Sequence, residues 1–442
     1  MEATVSNSTT TKSNAIPLAI VAAMFFILGF VTWLNGSLMP YLKQLFDLTP
    51  IQASLILFSF YIAVTFTAIP SAKFVKKVGY KNGMAISIGM MMATALLYIP
   101  AAKTQVFALF LVAQFTMGIA QTILQTAVNP YVVRLGPEES AAARVSIMGI
   151  LNKFAGVIAP LAFTALVLGG FSEAASSAPL SQVEKDAMAG NLVMPYLGLA
   201  AFIGLFALGI KFAPLPEIEE ESEDKSSGTV KEALAHPNLA LGVIALFLYV
   251  AVEVIAGDTI GSFALEFGAS NYSIMTSVTM TFMVTGYILG IFLIPKVISQ
   301  EKALTISAVL GLLLTVCIVF ADSSAVIGLP ATITLPIFGT VAFVGDVPLA
   351  VFFLALCGLA NAIMWPAIWP LALSGLGKLT SVASGLLVMG IAGGAFGPLF
   401  LGLAKGSEAT VASSQTAYLV LLPCYLFILF YALKGHKMRS WK

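Results

Sequence analysis

The sequence predicts an all-α membrane protein: twelve spanning helices in two related six-helix halves. Three observations carry this. First, the 442 residues are 59% hydrophobic and 10% charged, with mean hydropathy +0.97. Soluble domains are about a quarter charged, so the bilayer must act as solvent. Second, twelve apolar runs are long enough to cross the hydrocarbon, which takes about 20 residues as a helix. Third, a stretch is written twice. Gly118-Ile119-Ala120-Gln121 returns as Gly358-Leu359-Ala360-Asn361, Asn129-Pro130 as Trp369-Pro370, and Met148-Gly149 as Met389-Gly390. Where a membrane protein has two related halves, the substrate site is expected between them.

In order, the predicted spans are 16–41, 51–75, 81–101, 105–134, 144–169 and 192–213, then 238–265, 272–295, 302–321, 348–375, 379–404 and 414–434. A polar, Ser/Thr-rich tail, 1–15, precedes the first half (16–213). The segment 214–237 joins the halves, and its acidic run Glu217–Lys225 is too polar to enter lipid. The second half covers 238–434, and a short tail, 435–442, follows. Spans one, four and ten carry Pro40, Pro130 and Pro370 near their ends, which membrane helices tolerate when neighbours satisfy the freed backbone. Lysine and arginine set the orientation. With the N-terminus inside, seventeen of the twenty-two fall on cytoplasmic segments and four (Lys43, Lys103, Lys185 and Lys405) outside, with Lys153 inside span five. Both termini are therefore expected to be cytoplasmic.

Net charge of +1 gives no nucleic-acid footprint, and Cys317, Cys357 and Cys424 form no metal or disulfide spacing. No cofactor is expected, and no enzyme: His236 and His436 fall at cytoplasmic helix ends, far from the buried acids. The glycines of 390–397, and Gly83 and Gly89, lie in apolar context without a following Gly-Lys-Ser/Thr. They read as close helix packing rather than a phosphate loop, and span eleven is expected to slide on span two through them.

Candidate binding residues lie on spans one, four, five, seven and ten. Span four presents Gln121, Gln125 and Asn129 at i, i+4, i+8, on one helix face. An amide stripe is costly in lipid, so it faces protein or water. It serves either as interhelical glue or as hydrogen-bonding groups for a hydroxylated ligand, and Asn129 can equally serve the Pro130 kink. The repeat gives Asn361, Trp365 and Trp369 at the same spacing on span ten. One half then offers amides and the other an indole face for the apolar side of a sugar ring. Trp33 and Asn35 on span one join them, though a tryptophan can equally serve the interfacial belt.

Glu253 and Asp258 are the acids clearly inside a span, each costing about 2.5–3.5 kcal/mol on insertion scales. Five residues apart, they point about 140° from one another on a straight helix. Ala256-Gly257-Asp258-Thr259 reads as a loosened turn whose carbonyls and carboxylate suit Na⁺. Lys153, next to Asn152, calls for an acid or carbonyl partner, Glu253 or Asp258 among them, unless it snorkels to the cytoplasmic surface.

Pro70-Ser71-Ala72-Lys73-Phe74-Val75-Lys76-Lys77-Val78-Gly79-Tyr80-Lys81 resembles the loop signature of the major facilitator superfamily between spans two and three, with Lys76 where an Asp is usual. The stretches Leu34–Pro40, Gln125-Thr126-Ala127-Val128-Asn129-Pro130-Tyr131-Val132, Leu135–Glu138 and Tyr249–Val254 resemble its fucose/glucose–galactose symporter branch. That resemblance covers nearly the whole chain. It implies ion-driven import of a neutral hexose by rocking of two halves around spans 1, 4, 7 and 10, usually by a monomer. Two acids of the branch's proton-coupled fucose carriers are replaced here, by Gly36 and Gln125, and of its span-five pattern only Asn152 matches.

The expectation is thus a symporter for glucose, galactose, mannose or N-acetylglucosamine in a bacterial inner membrane, with Na⁺ favoured and Asp258 its ligand. Proton coupling through Glu253 or Asp258 is the alternative. A sugar-sensing receptor without transport is a further one, disfavoured because paired glycines and amides in both halves suit sliding interfaces.

Overall fold

A computed structural model describes residues 15–135, 141–168, 180–213, 215–216, 229–269, 271–294, 296–335, 339–342, 345–407 and 410–441. The N-terminal tail, the Gly-Pro-Glu of 136–138 and the acidic run of the linker lie outside the described residues. Among the described residues, twelve helices are long and apolar enough to span a membrane. We label them α1 (Ile16–Leu45), α2 (Pro50–Val78), α3 (Tyr80–Lys103), α4 (Phe107–Arg134), α5 (Arg144–Val167), α6 (Gln182–Phe212), α7 (Pro237–Asp258), α8 (Tyr272–Leu293), α9 (Gln300–Phe320), α10 (Leu349–Leu373), α11 (Val382–Lys405) and α12 (Val411–Lys437). A short helix, Ile260–Glu266, prolongs α7 past Thr259.

Local chemistry sets the boundaries. Thr49 and Gln52 form a capping box at the start of α2, with Pro50 at the first helical position, where its missing N–H costs nothing. Gly79 ends α2 and opens α3 at φ 86°, a conformation that a side chain disfavours. Ser181 and Glu184 cap the start of α6. Between α9 and α10 the loop forms antiparallel pairs, β1 (Val326–Gly328) with β4 (Asp346–Pro348) and β2 (Thr332–Leu335) with β3 (Gly339–Ala342).

Helix pairing is repeated between the halves. In the first half α1 packs on α5, α2 on α4, α3 on α4 and α3 on α6; in the second α7 packs on α11, α8 on α10, α9 on α10 and α9 on α12. The duplicated glycines explain one such pair. A Cβ on Gly118 would collide with the Phe60 carbonyl oxygen on α2, and one on Gly358 with the Thr279 carbonyl oxygen on α8. Both positions need glycine because a neighbouring backbone lies where a side chain would begin.

The run at 390–397 has a split role. Gly390, Gly393 and Gly397 abut Phe247 and Ala251 of α7, while Gly394 faces the Tyr61 ring of α2. Further along α11, Gly402 meets Pro50 and Ser54 of α2. Gly394 and Gly402 thus stand at the α2 contact where sliding is expected, while Gly390, Gly393 and Gly397 seat α11 within its own half.

The halves meet through α1 against α7, α2 against α11 and α5 against α8. Their contacts run from the middle of the bundle to the face opposite the termini, hereafter the far face. Ser277 Oγ donates to the Val157 carbonyl (2.7 Å), Thr164 and Ser273 pair their hydroxyls (2.8 Å), and Lys43 bonds Glu266 (3.2 Å). Toward the face bearing the termini, bonds between described residues include several within one half: Arg144 to the Val132 and Val133 carbonyls, Asn238 to Ala372, Arg439 to Ser374. The molecule is drawn together at its far face.

Candidate functional site

The centre of the bundle holds an ion pair between the halves. The Lys153 ammonium on α5 donates to Glu253 Oε1 on α7 and stands 4.6 Å from the centre of the Trp33 ring on α1. Both charges are nearly buried, with side chains 12% and 8% exposed. Burial at this depth demands a partner, and each ion supplies the other's. Lys153 does not snorkel. Tyr249, one turn before Glu253, is buried on the same helix.

Trp33 is enclosed by Met280, Met283 and Ala362 of the second half, with Val157 and Tyr287 packed beside them. Gly156 and Gly257 leave room for its ring; a Cβ on either would strike it. Asp258 is fully buried. The Tyr61 hydroxyl, from the other half, donates to its Oδ2 (3.4 Å), and Gly36 lies against it through the backbone. Gly36 itself meets Thr276 and the Gly257 carbonyl, so a side chain there would force α1 from α7. The two acids, on divergent faces, thus each reach a partner in the first half.

The duplicated amides share one arrangement. Thr32 Oγ1, whose one proton is shared between the Leu28 carbonyl (2.7 Å) and Gln121 Oε1 (2.9 Å), meets the first amide, and the Tyr425 hydroxyl donates to Asn361 Oδ1 (2.9 Å). In each case the oxygen is held by a hydroxyl and the NH₂ is left over: Gln121 Nε2 and Asn361 Nδ2 are buried with no bond to a described residue. Trp33 Nε1 is in the same condition. A buried unpaired donor costs about 1–3 kcal/mol, so these three are donors awaiting acceptors.

Exposure grades along both stripes. On α4, Gln121 is buried, Gln125 half-buried and Asn129 exposed; on α10, Asn361 is buried and Trp365 and Trp369 are half-buried. The two indoles stack with centroids 5.3 Å apart, and Tyr249 lies 6.2 Å from Trp365. Asn152 reaches the Phe25 carbonyl (3.4 Å) and stays half-buried. Asn35 turns instead into the first half, where its oxygen accepts from Gln114 (2.9 Å), itself bonded by Tyr98 (3.0 Å).

The turn after Asp258 is not a free oxygen cage. The Gly257 and Ala256 carbonyls accept from Thr276 (2.7 Å) and Thr279 (3.1 Å), and the Thr259 hydroxyl bonds the Ile255 carbonyl (2.6 Å). A hard cation needs several oxygens at once, and here most are engaged.

The residues that hold the charged and polar centre include several the sequence reading passed over: Tyr61, Thr32, Tyr249 and Tyr425. Only Tyr249 carried a usable signal, standing four residues before Glu253 on the same face.

Twelve spanning helices in two alike halves, with charges and unpaired donors buried where the halves meet, are the build of a membrane transporter. The chain belongs to the Major Facilitator Superfamily, whose family model matches residues 21–398; its members are transporters, not enzymes. It is 32% identical over 434 residues to a glucose/galactose transporter of Brucella abortus, covering 96% of this chain and 95% of that one. It is 28% identical over 445 residues to the L-fucose-proton symporter of Escherichia coli, covering 95% and 93%. Among solved structures, FucP in its outward conformation aligns with TM-score 0.66 and 25% identity over 95% of this chain and 99% of that one. The inward-open xylose transporter XylE aligns equally well in fold, with TM-score 0.67.

Proposed function

We propose that the protein imports a neutral hexose by proton symport, the two halves rocking about a site built from Trp33, Gln121, Gln125, Lys153, Asn361, Trp365 and Trp369. The observation that carries the sugar reading is the pair of duplicated amides with their oxygens held and their NH₂ groups unpaired. A hexose has acceptor oxygens around its rim and an apolar ring face. Two fixed NH₂ donors, one per half, suit the rim, and the stacked indoles suit the face. The likeness to glucose/galactose transporters supports the same class.

The proton reading rests on Lys153 and Glu253. A protonated Glu253 no longer holds the ammonium, which then turns to sugar hydroxyls. Proton and sugar uptake together would dissolve the link between the halves and let them separate. Asp258, tied to Tyr61, is a second carboxylate on the same interface. Na⁺ coupling, favoured from the sequence, loses support because the backbone oxygens beside Asp258 are engaged, and an L-fucose-proton symporter is among the relatives. The cell setting follows the same reading: a bacterial inner membrane, both termini inside, the far face outside.

The test is hexose uptake into proteoliposomes under an imposed pH gradient or an imposed Na⁺ gradient, each alone. The proposal expects accumulation above equilibrium with the pH gradient. Accumulation driven by Na⁺ alone would overturn the proton reading. Failure to transport any of glucose, galactose, mannose and N-acetylglucosamine would overturn the substrate class.

A further inference from the structure

At the far-face mouth, away from the central site, a cavity of about 30 Å³ lies between the halves. Its polar lining is Lys43 and Ser54 from the first half and Thr259, Ser262, Glu266 and Lys405 from the second. Glu266 is shared: Lys43 Nζ lies 3.2 Å from its Oε1 and Lys405 Nζ 2.8 Å from its Oε2. Two ammoniums on one carboxylate leave a positive charge over. Lys405 is 7% exposed, too buried for solvent to screen that charge cheaply. The Phe263 and Tyr418 rings lie 5.5 and 5.6 Å from it, a contribution of about 0.5–2 kcal/mol that does not replace a counter-ion.

A further feature points the same way. The Ser262 hydroxyl, 6% exposed, has no bond to a described residue, whereas Ser54 and Thr259 already donate to the Ile51 and Ile255 carbonyls. The start of α2, through Pro50, Ala53 and Ser54, also lines the cavity. Excess positive charge and a free buried donor converge on one small space. A water needs about 10–15 Å³ of such room, so the space suits a monatomic ion and not a sulfate or a sugar acid.

We propose that this cavity binds a monatomic anion, chloride or bromide, held by the Lys43 and Lys405 ammoniums and the Ser262 hydroxyl. The ligands come from both halves, so the ion belongs to the arrangement that is closed at the far face. This site is independent of the sugar and of the coupling ion.

Thermal unfolding of the purified full chain in detergent tests it, with sodium gluconate replaced by chloride, bromide or sulfate at constant ionic strength and no sugar present. Chloride and bromide are expected to raise the midpoint saturably, by about 2–5 °C; gluconate is not, and sulfate gives only the non-saturating rise of an excluded salt. Lys43→Met and Ser262→Ala should each abolish the rise, and Ser262→Ala keeps every charge in place and is the milder change. Equal shifts with all salts, or a chloride rise that survives in Ser262→Ala, would overturn the proposal. Anomalous scattering from bromide-soaked crystals gives the position directly: a peak between Lys43, Lys405 and Ser262 is required.

Discussion

Lys153 and Glu253 join the two halves of the molecule through a buried ion pair, with the ammonium held over Trp33. Removing one member leaves the other charge without a partner, at a cost of about 3–5 kcal/mol. Lys153→Met should therefore lower the unfolding midpoint and abolish sugar accumulation. Adding Glu253→Gln should restore most of the stability, because the stranded carboxylate is gone, without restoring accumulation. Thermal unfolding and proteoliposome uptake on the two singles and the double complete the cycle. If the double mutant accumulates sugar, the pair is structural and the coupling lies elsewhere.

Gln121 and Asn361 make a second test, since the repeat assigns them like roles. Replacing either amide by Leu removes an NH₂ donor that has no partner among the described residues. Each change should weaken sugar binding by about 1–3 kcal/mol, roughly 5- to 160-fold. Isothermal titration calorimetry with the transported hexose checks this. An unchanged Kd in both variants would mean the donors face something other than substrate.

Gly118 and Gly358 should be intolerant of alanine. A Cβ at either lands on a backbone carbonyl of the partner helix, so the helices must move apart. Gly118→Ala and Gly358→Ala are expected to destabilise by about 2 kcal/mol or more. Gly149→Ala is the control: nothing lies within 4 Å of its added carbon, and the higher helix propensity of alanine should make it neutral or slightly stabilising. Melting curves of the three variants separate packing from propensity.

These glycines also show what the sequence alone could say. Local periodicity and self-similarity are visible in one dimension, so the spans, the repeat, the amide stripes and the buried acids were all legible. Partners were not. That Lys153 meets Glu253 rather than Asp258 depends on the rotation of α5 against α7, and that Asn35 turns toward Gln114 depends on where α3 and α6 close the first half. The split of the glycines at 390–397 was hidden for a related reason. Gly394 stands four residues after Gly390 and three before Gly397, so spacing puts all of them on one broad face, and only the packing of two helices against that face sends Gly394 to α2. The strand pairs of the α9–α10 loop were missed because runs of three or four residues are too short to show alternation.

Glu266 carries the last prediction, at the far-face end of the helix that prolongs α7. Burial alone would push its carboxyl up, but Lys405 and Lys43 together hold it below the ordinary glutamate range. A carboxylate whose folded value is depressed stabilises the fold fully above its unfolded value, and that stabilisation is lost as pH falls through the folded one. The far-face contact should therefore persist from neutral pH down to the ordinary glutamate range and fail below it. Glu266→Gln should remove this part of the acid transition. At neutral pH the same change leaves Lys43 and Lys405 facing each other without a carboxylate, so the unfolding midpoint should drop. With one more net positive charge in the cavity, the chloride-dependent rise in midpoint should grow. Unfolding midpoints of wild type and Glu266→Gln between neutral pH and the acid limit, with and without chloride, read all three effects. A wild-type acid transition that Glu266→Gln leaves in place would assign the pH response to other carboxylates.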